Sequence, residues 1–132
     1  MKKAVLMGVV LVSALAVAVE AMTVDKMLKD QDALDGKEVT VTGVVSDYRQ
    51  RESRAGNPYV NFKLKGENKI ANVYLRGSLE GDKAPKNGDT VEVMGIYRKE
   101  KKVNDSFTVK DEVDASPVEK KKFGVKITKR GE

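Results

Sequence analysis

The sequence predicts a mainly β domain folded as a five-stranded barrel, with a short N-terminal helix and a basic C-terminal tail. Three observations carry that expectation. Apolar and polar residues alternate over five separate stretches after residue 36, the period of a strand with one buried face. Two of those stretches, 35–45 and 87–97, share a pattern. Each has a turn glycine (Gly36, Gly88), a valine three residues on (Val39, Val91), a second valine (Val41, Val93) and a mid-strand glycine (Gly43, Gly95). A glycine inside a strand marks a bend or a close backbone approach, which lets one strand serve two sides of a small barrel. At 132 residues, the chain has room for one domain of ordinary size.

Residues 1–21 read as a secretory signal peptide. Lys2 and Lys3 give the positive start, 4–19 is an apolar run, and Val19-Glu20-Ala21 offers small residues at a cleavage site. The run falls short of the ~20 residues that span a bilayer as a helix. Cleavage after Ala21 and a periplasmic or secreted product are therefore expected, with an uncleaved membrane anchor as the alternative. In residues 22–35, Thr23 caps a short helix that spaces Val24, Met27 and Leu28 at i, i+3 and i+4.

Residues 36–116 are the expected barrel, with strands at 38–45, 59–65, 70–76, 89–99 and 107–113. Inward faces are Val60, Phe62 and Leu64, then Ala71, Val73 and Leu75, then Val91, Val93 and either Ile96 or Tyr97. Phe107, Val109 and Val113 are in phase for the last strand. Segments 46–58 and 100–105 read as polar loops, and 77–88 as a Gly/Pro-interrupted connection with room for one helical turn. Residues 117–132 form the basic tail, where Phe123, Val125 and Ile127 alternate well enough to pair as an edge strand.

Composition excludes several chemistries. The chain has no Cys and no His, so disulfides, thiolate nucleophiles and Ser-His or Cys-His hydrolysis are ruled out. No pair of acids suggests a carboxylate-only glycosidase, and Asp111, Glu112 and Asp114 read as a polar strand end rather than a metal site. No catalysis and no cofactor are expected. The formal net charge of +5 sits mostly in Lys120, Lys121, Lys122, Lys126, Lys129 and Arg130, because residues 22–117 balance their charges. The tail is either a solvated terminus or a polybasic arm for anionic lipid, nucleic acid or cell-wall polymer.

Three motifs bear on function. Gly36-Lys37-x-Val39-x-Val41-x-Gly43, Tyr59-Val60-Asn61-Phe62 and Gly88-Asp89-x-Val91-x-Val93-x-Gly95 resemble the tRNA-anticodon-binding-like OB domains, a nucleic-acid-binding family. The resemblance spans about residues 36–115. It implies a five-stranded Greek-key OB-fold barrel that binds across strands two and three and the flanking loops. The segment between strands three and four departs from the longer helix common in that family. On this resemblance the strand face presents Tyr59, Asn61, Lys63, Asn72, Tyr74 and Arg76. The first loop adds Tyr48, Arg49, Arg51 and Arg54, and the second Lys99, Lys101 and Lys102. Aromatic rings interleaved with cations and amides suit a single strand's bases and phosphates; the same face also reads as an ordinary solvated sheet.

Two exported OB classes do not fit. Asp89-Thr90 lacks the Pro-Glu that follows in the secreted calcium-dependent nucleases, and the haem chaperone of this fold attaches haem through a His that is absent here; no haem partner is expected. The expected function is an exported, non-catalytic protein that binds an extended anionic ligand such as single-stranded nucleic acid. The alternative is a stress-related periplasmic module of the envelope that binds a protein or peptide, with no nucleic-acid ligand.

Overall fold

The computed structural model describes residues 20–131, so the expected signal peptide lies outside it except for Glu20 and Ala21. In chain order the elements are β1 (Met22–Thr23), α1 (Val24–Lys29), α2 (Gln31–Leu34), β2 (Glu38–Glu52), β3 (Pro58–Lys65), β4 (Ile70–Arg76), a 3₁₀ turn (Gly81–Lys83), β5 (Thr90–Asn104), β6 (Phe107–Asp114) and β7 (Gly124–Lys129). The protein is mainly β. Its strands form one sheet in the order β1-β2-β3-β4-β6-β5-β7, with β2 also paired to β5. The pairings of five strands therefore run in a closed circuit, β2–β3–β4–β6–β5 and back to β2.

Two strands make that circuit possible by changing partners along their length. β2 pairs with β5 up to Val44 and with β3 from Val44 onward. β5 pairs with β2 up to Ile96 and with β6 from Ile96 onward. Each switch falls one residue after the mid-strand glycine. A Cβ on Gly43 would stand 2.8 Å from the Lys65 carbonyl oxygen, and one on Gly95 only 2.2 Å from that of Asp114. Neither strand could be approached so closely if it carried a side chain there. The repeated segments also meet each other: Val41 lies opposite Val93, Gly43 opposite Val91 and Gly95 opposite Val39. The sequence similarity is thus a local two-fold relation between two antiparallel strands.

The core lines the inside of this circuit. The alternating faces expected on β3 and β4 are all buried, as are Val91, Val93 and Val113. Of the two candidates on β5, Tyr97 is buried, and its hydroxyl donates to Asp111 Oδ1. Helix α1 adds Val24 and Met27, both fully buried. Its N-cap Thr23 accepts from the Lys26 N–H at 3.1 Å. Asp25 accepts from the backbone N–H of Asn68 and Lys69, which staples the helix to the β3–β4 turn.

Several expectations change. Among the described residues there are seven strands rather than five, because β1 adds a two-residue parallel pairing with β2 and part of the tail forms β7. The expected loops at 46–58 and 100–105 are largely strand, since β2 runs to Glu52 and β5 to Asn104. Those extensions form one side of two long hairpin arms, and their outer stretches 49–52 and 100–104 contain no buried residue, so a period-two reading has no apolar face to detect there. The β2 register slips between Ser46 and Arg49, where Asp47 has φ +54°. This bulge turns Tyr48 inward and Arg49 and Arg51 outward, whereas Val45, before it, keeps the inward phase of Val39 and Val41. Phe107, expected in the core, is exposed at the start of β6 because the arm's tip lies beyond the core's reach.

The tail is anchored. β7 pairs antiparallel with β5, and Val125 and Ile127 pack against the core. Asp89 is only 2% exposed and accepts from the backbone N–H of Lys86 (2.9 Å) and Gly131 (2.7 Å) and from Arg130 Nη1 (2.8 Å). The two N–H donors and then the guanidinium outweigh burial and hold its carboxyl below the usual carboxylate range. Lys121 pairs with Glu38.

Two outcomes follow from these contacts. Gly95→Ala should lower stability by about 1–3 kcal/mol through overpacking, read as a lower urea midpoint with an unchanged m-value. Asp89's depressed folded pKa contributes stability that is present above its unfolded value of about 3.9 and is lost as pH falls through the folded value. Asp89→Asn should therefore flatten the fall of the urea midpoint below about pH 4; an unaltered acid limb would count against Asp89 as the tail's latch.

Candidate binding groove

The outward faces of β3 and β4 form the floor of a groove of about 820 Å³, walled by the two arms. Strand register sets the floor. Arg49 of β2 lies beside Asn61, which lies beside Tyr74; Arg51 lies beside Tyr59, which lies beside Arg76. Lys63 lies beside Asn72, and Asn72 beside Glu112 of β6. Neighbours of this kind have Cβ atoms about 5 Å apart, so the rows bring aromatic, amide and cationic groups into mutual reach.

The floor is partly organised by its own contacts. The Tyr59 and Tyr74 rings are 5.7 Å apart at their centroids, tilted by 36°. Lys63 Nζ donates to Asn72 Oδ1 at 3.2 Å, and Asn72 Nδ2 donates to the Lys110 carbonyl at 2.8 Å. Arg49 pairs with Asp47 at 3.0 Å. Lys101 Nζ stands 3.1 Å from Glu112 Oε1 and 4.6 Å from the centre of the Tyr74 ring. Asn61 Oδ1 is buried without a hydrogen-bond partner. Five cations line the groove (Arg49, Arg51, Lys63, Lys101, Lys110) against two carboxylates, Asp47 and Glu112. Among the described residues, Arg51, Lys63 and Lys110 make no ion pair.

The structure brings eight of the expected residues together in this groove: Arg49, Arg51, Tyr59, Asn61, Lys63, Asn72, Tyr74 and Lys101. Arg76 borders a smaller hollow that shares Tyr59 and Tyr74 with the groove, and its Nη2 donates to the Pro117 carbonyl at 3.0 Å. Four others lie elsewhere. Tyr48 turns inward at the bulge, where its ring stacks on Phe62 at 5.9 Å and its hydroxyl is buried without a partner; burial pushes its pKa up. Lys99 bonds to Asp32 of α2 at 2.6 Å, which raises its pKa. Lys102 pairs with Asp105 at an arm's tip, and Arg54 is exposed in the turn between β2 and β3.

Nine groove residues were not anticipated as site residues from sequence: Asp47, Phe62, Val73, Val103, Phe107, Thr108, Val109, Lys110 and Glu112. Phe107 directly follows the Asp105-Ser106 turn, and that position, at a hairpin tip, was the available sign that it would not reach the core. Lys110 shares an alternation phase with Glu112, but reading it required knowing which β6 face meets β4.

Among the described residues, no three Asp or Glu side chains gather closely enough to hold a metal ion, and no helix is long and apolar enough to cross a membrane. No protein-family model matches the chain, and no curated protein matches it.

Tyr48→Phe removes a hydroxyl that is buried without a partner, so it should leave stability unchanged or raise it by about 1 kcal/mol. Urea unfolding measures this, and a clear loss of stability would mean that the hydroxyl has a bonding partner in solution.

Proposed function

We propose that this is an exported, non-catalytic binding protein of the OB-fold type, whose groove takes an extended anionic polymer, single-stranded nucleic acid in particular. The observation that carries this reading is the groove floor, where paired tyrosines lie among amides and an excess of cations, three of them without a carboxylate partner. Stacking on an aromatic side chain contributes ~1–3 kcal/mol per base, and cations along the same track meet the phosphates. The closed circuit of five strands, with partner switches at Gly43 and Gly95, supports a five-stranded Greek-key barrel. The charged start and apolar run of residues 1–21 support export. Phe107, exposed on the groove's wall, offers a further ring.

A second reading has its own observation. Val103 and Phe107 are both more than half exposed on one arm and both line the groove, an apolar edge that suits a peptide partner in the envelope.

Fluorescence anisotropy of residues 22–132 with a labelled single-stranded oligonucleotide separates the two. Nucleic-acid binding should weaken by about 0.7 log units per log unit of salt for each phosphate neutralised. Tyr59→Ala should cost about 5- to 150-fold in affinity while leaving the fold intact. Absence of oligonucleotide binding at low salt would sink the first reading and favour the second. A chain ended at residue 116 does not isolate the tail's charge, since it also removes β7.

A further inference from the structure

We infer that Lys101 is a positioning residue, which holds Tyr74 in place from the groove's wall, and that anion contact falls instead to Arg51, Lys63 and Lys110. The inference rests on the reading of the groove proposed above.

Lys101 is already committed twice, to the Glu112 carboxylate and to the face of the Tyr74 ring. The Glu112 side chain is 6% exposed, and Lys101 is the one cation within 4 Å of its carboxylate among the described residues. A phosphate that drew Lys101 away would leave a buried carboxylate without its counter-charge. That costs more than an exposed ion contact returns, so Lys101 stays where it is when a ligand enters. The pair links three strands: Lys101 on β5, Glu112 on β6, and Tyr74 on β4, where Asn72 two residues earlier faces Glu112.

The consequence for ligand contact is specific. One face of Tyr74 is covered by an ammonium group, so an entering ring stacks on Tyr59 or Phe107 rather than on that face. Arg49 is likewise held, by Asp47. The cations left free of carboxylates flank the aromatic floor, with Arg51 beside Tyr59 and Lys63 beside Asn72, whose amide bonds to the Lys110 carbonyl.

Oligonucleotide titrations over a salt series distinguish a positioning cation from a phosphate contact. Arg51→Met, Lys63→Met and Lys110→Met should each reduce the slope of log affinity against log salt by about 0.7. Lys101→Met should weaken binding at every salt with the slope unchanged, and Lys101→Arg should restore it. A slope reduced by about 0.7 in Lys101→Met would overturn the inference. A second measurement needs no ligand. The ring current of Tyr74 should shift the Lys101 ε-methylene protons upfield in the NMR spectrum, and the shift should vanish in Tyr74→Leu and in Glu112→Gln. An unshifted signal in the unaltered protein also overturns the inference. If the shift is present and no oligonucleotide binds, the nucleic-acid reading fails while the positioning of Tyr74 by Lys101 stands.

Discussion

The rest of the structure depends on the close approach that Gly43 and Gly95 permit. With a Cβ at Gly95, the Asp114 carbonyl would have to retreat, and β6 could not take over from β2 along β5. With one at Gly43, β3 could not take over from β5 along β2. Because both handovers occur, each long strand has two roles. Its first half shares the core with the opposite long strand, and its second half leaves the core as one side of a hairpin arm. Part of the core and the walls of the groove are therefore opposite ends of the same two strands. The bulge at Asp47 belongs to the same device, since it turns Tyr48 into the core and presents Arg49 and Arg51 to the groove.

Charge is sorted by position more than by amount. Residues 22–117 carry no net charge, yet the groove lining has an excess of cations. Pairing accounts for how these groups act. Three cations are held by carboxylates that are buried or close at hand: Arg49 by Asp47, Lys101 by Glu112 and Arg130 by Asp89. Such groups order their surroundings, and their charge is largely answered within the protein. The groove cations without a carboxylate partner keep their field for a ligand. The tail, too, is partly structural, because Lys121 and Arg130 fasten it to β2 and to the turn before β5. Lys126 and Lys129 lie on β7, a strand at the edge of the sheet, where charge also discourages pairing with another chain.

Much of this architecture is legible in the sequence. Strict alternation over 59–65 and 70–76 determined two strands and their buried faces, because a half-buried strand leaves its period in the residue types. The repeated Gly-x-x-Val-x-Val-x-Gly pattern marked the two strands that bend. Thr23 and the spacing of Val24, Met27 and Leu28 marked the helix. Eight groove residues were accessible as the polar faces of those strands or as cations and aromatics next to them. Only the tertiary structure decided the arms, the bulge and the pairings between charges. The outer stretches 49–52 and 100–104 bury no side chain, so their sequence reads as a loop. A one-residue bulge reverses every later side chain, which is why Tyr48 left the expected site. Whether Lys101 meets solvent or Glu112 depends on which strands lie side by side, a relation between residues far apart in the chain that no local pattern encodes.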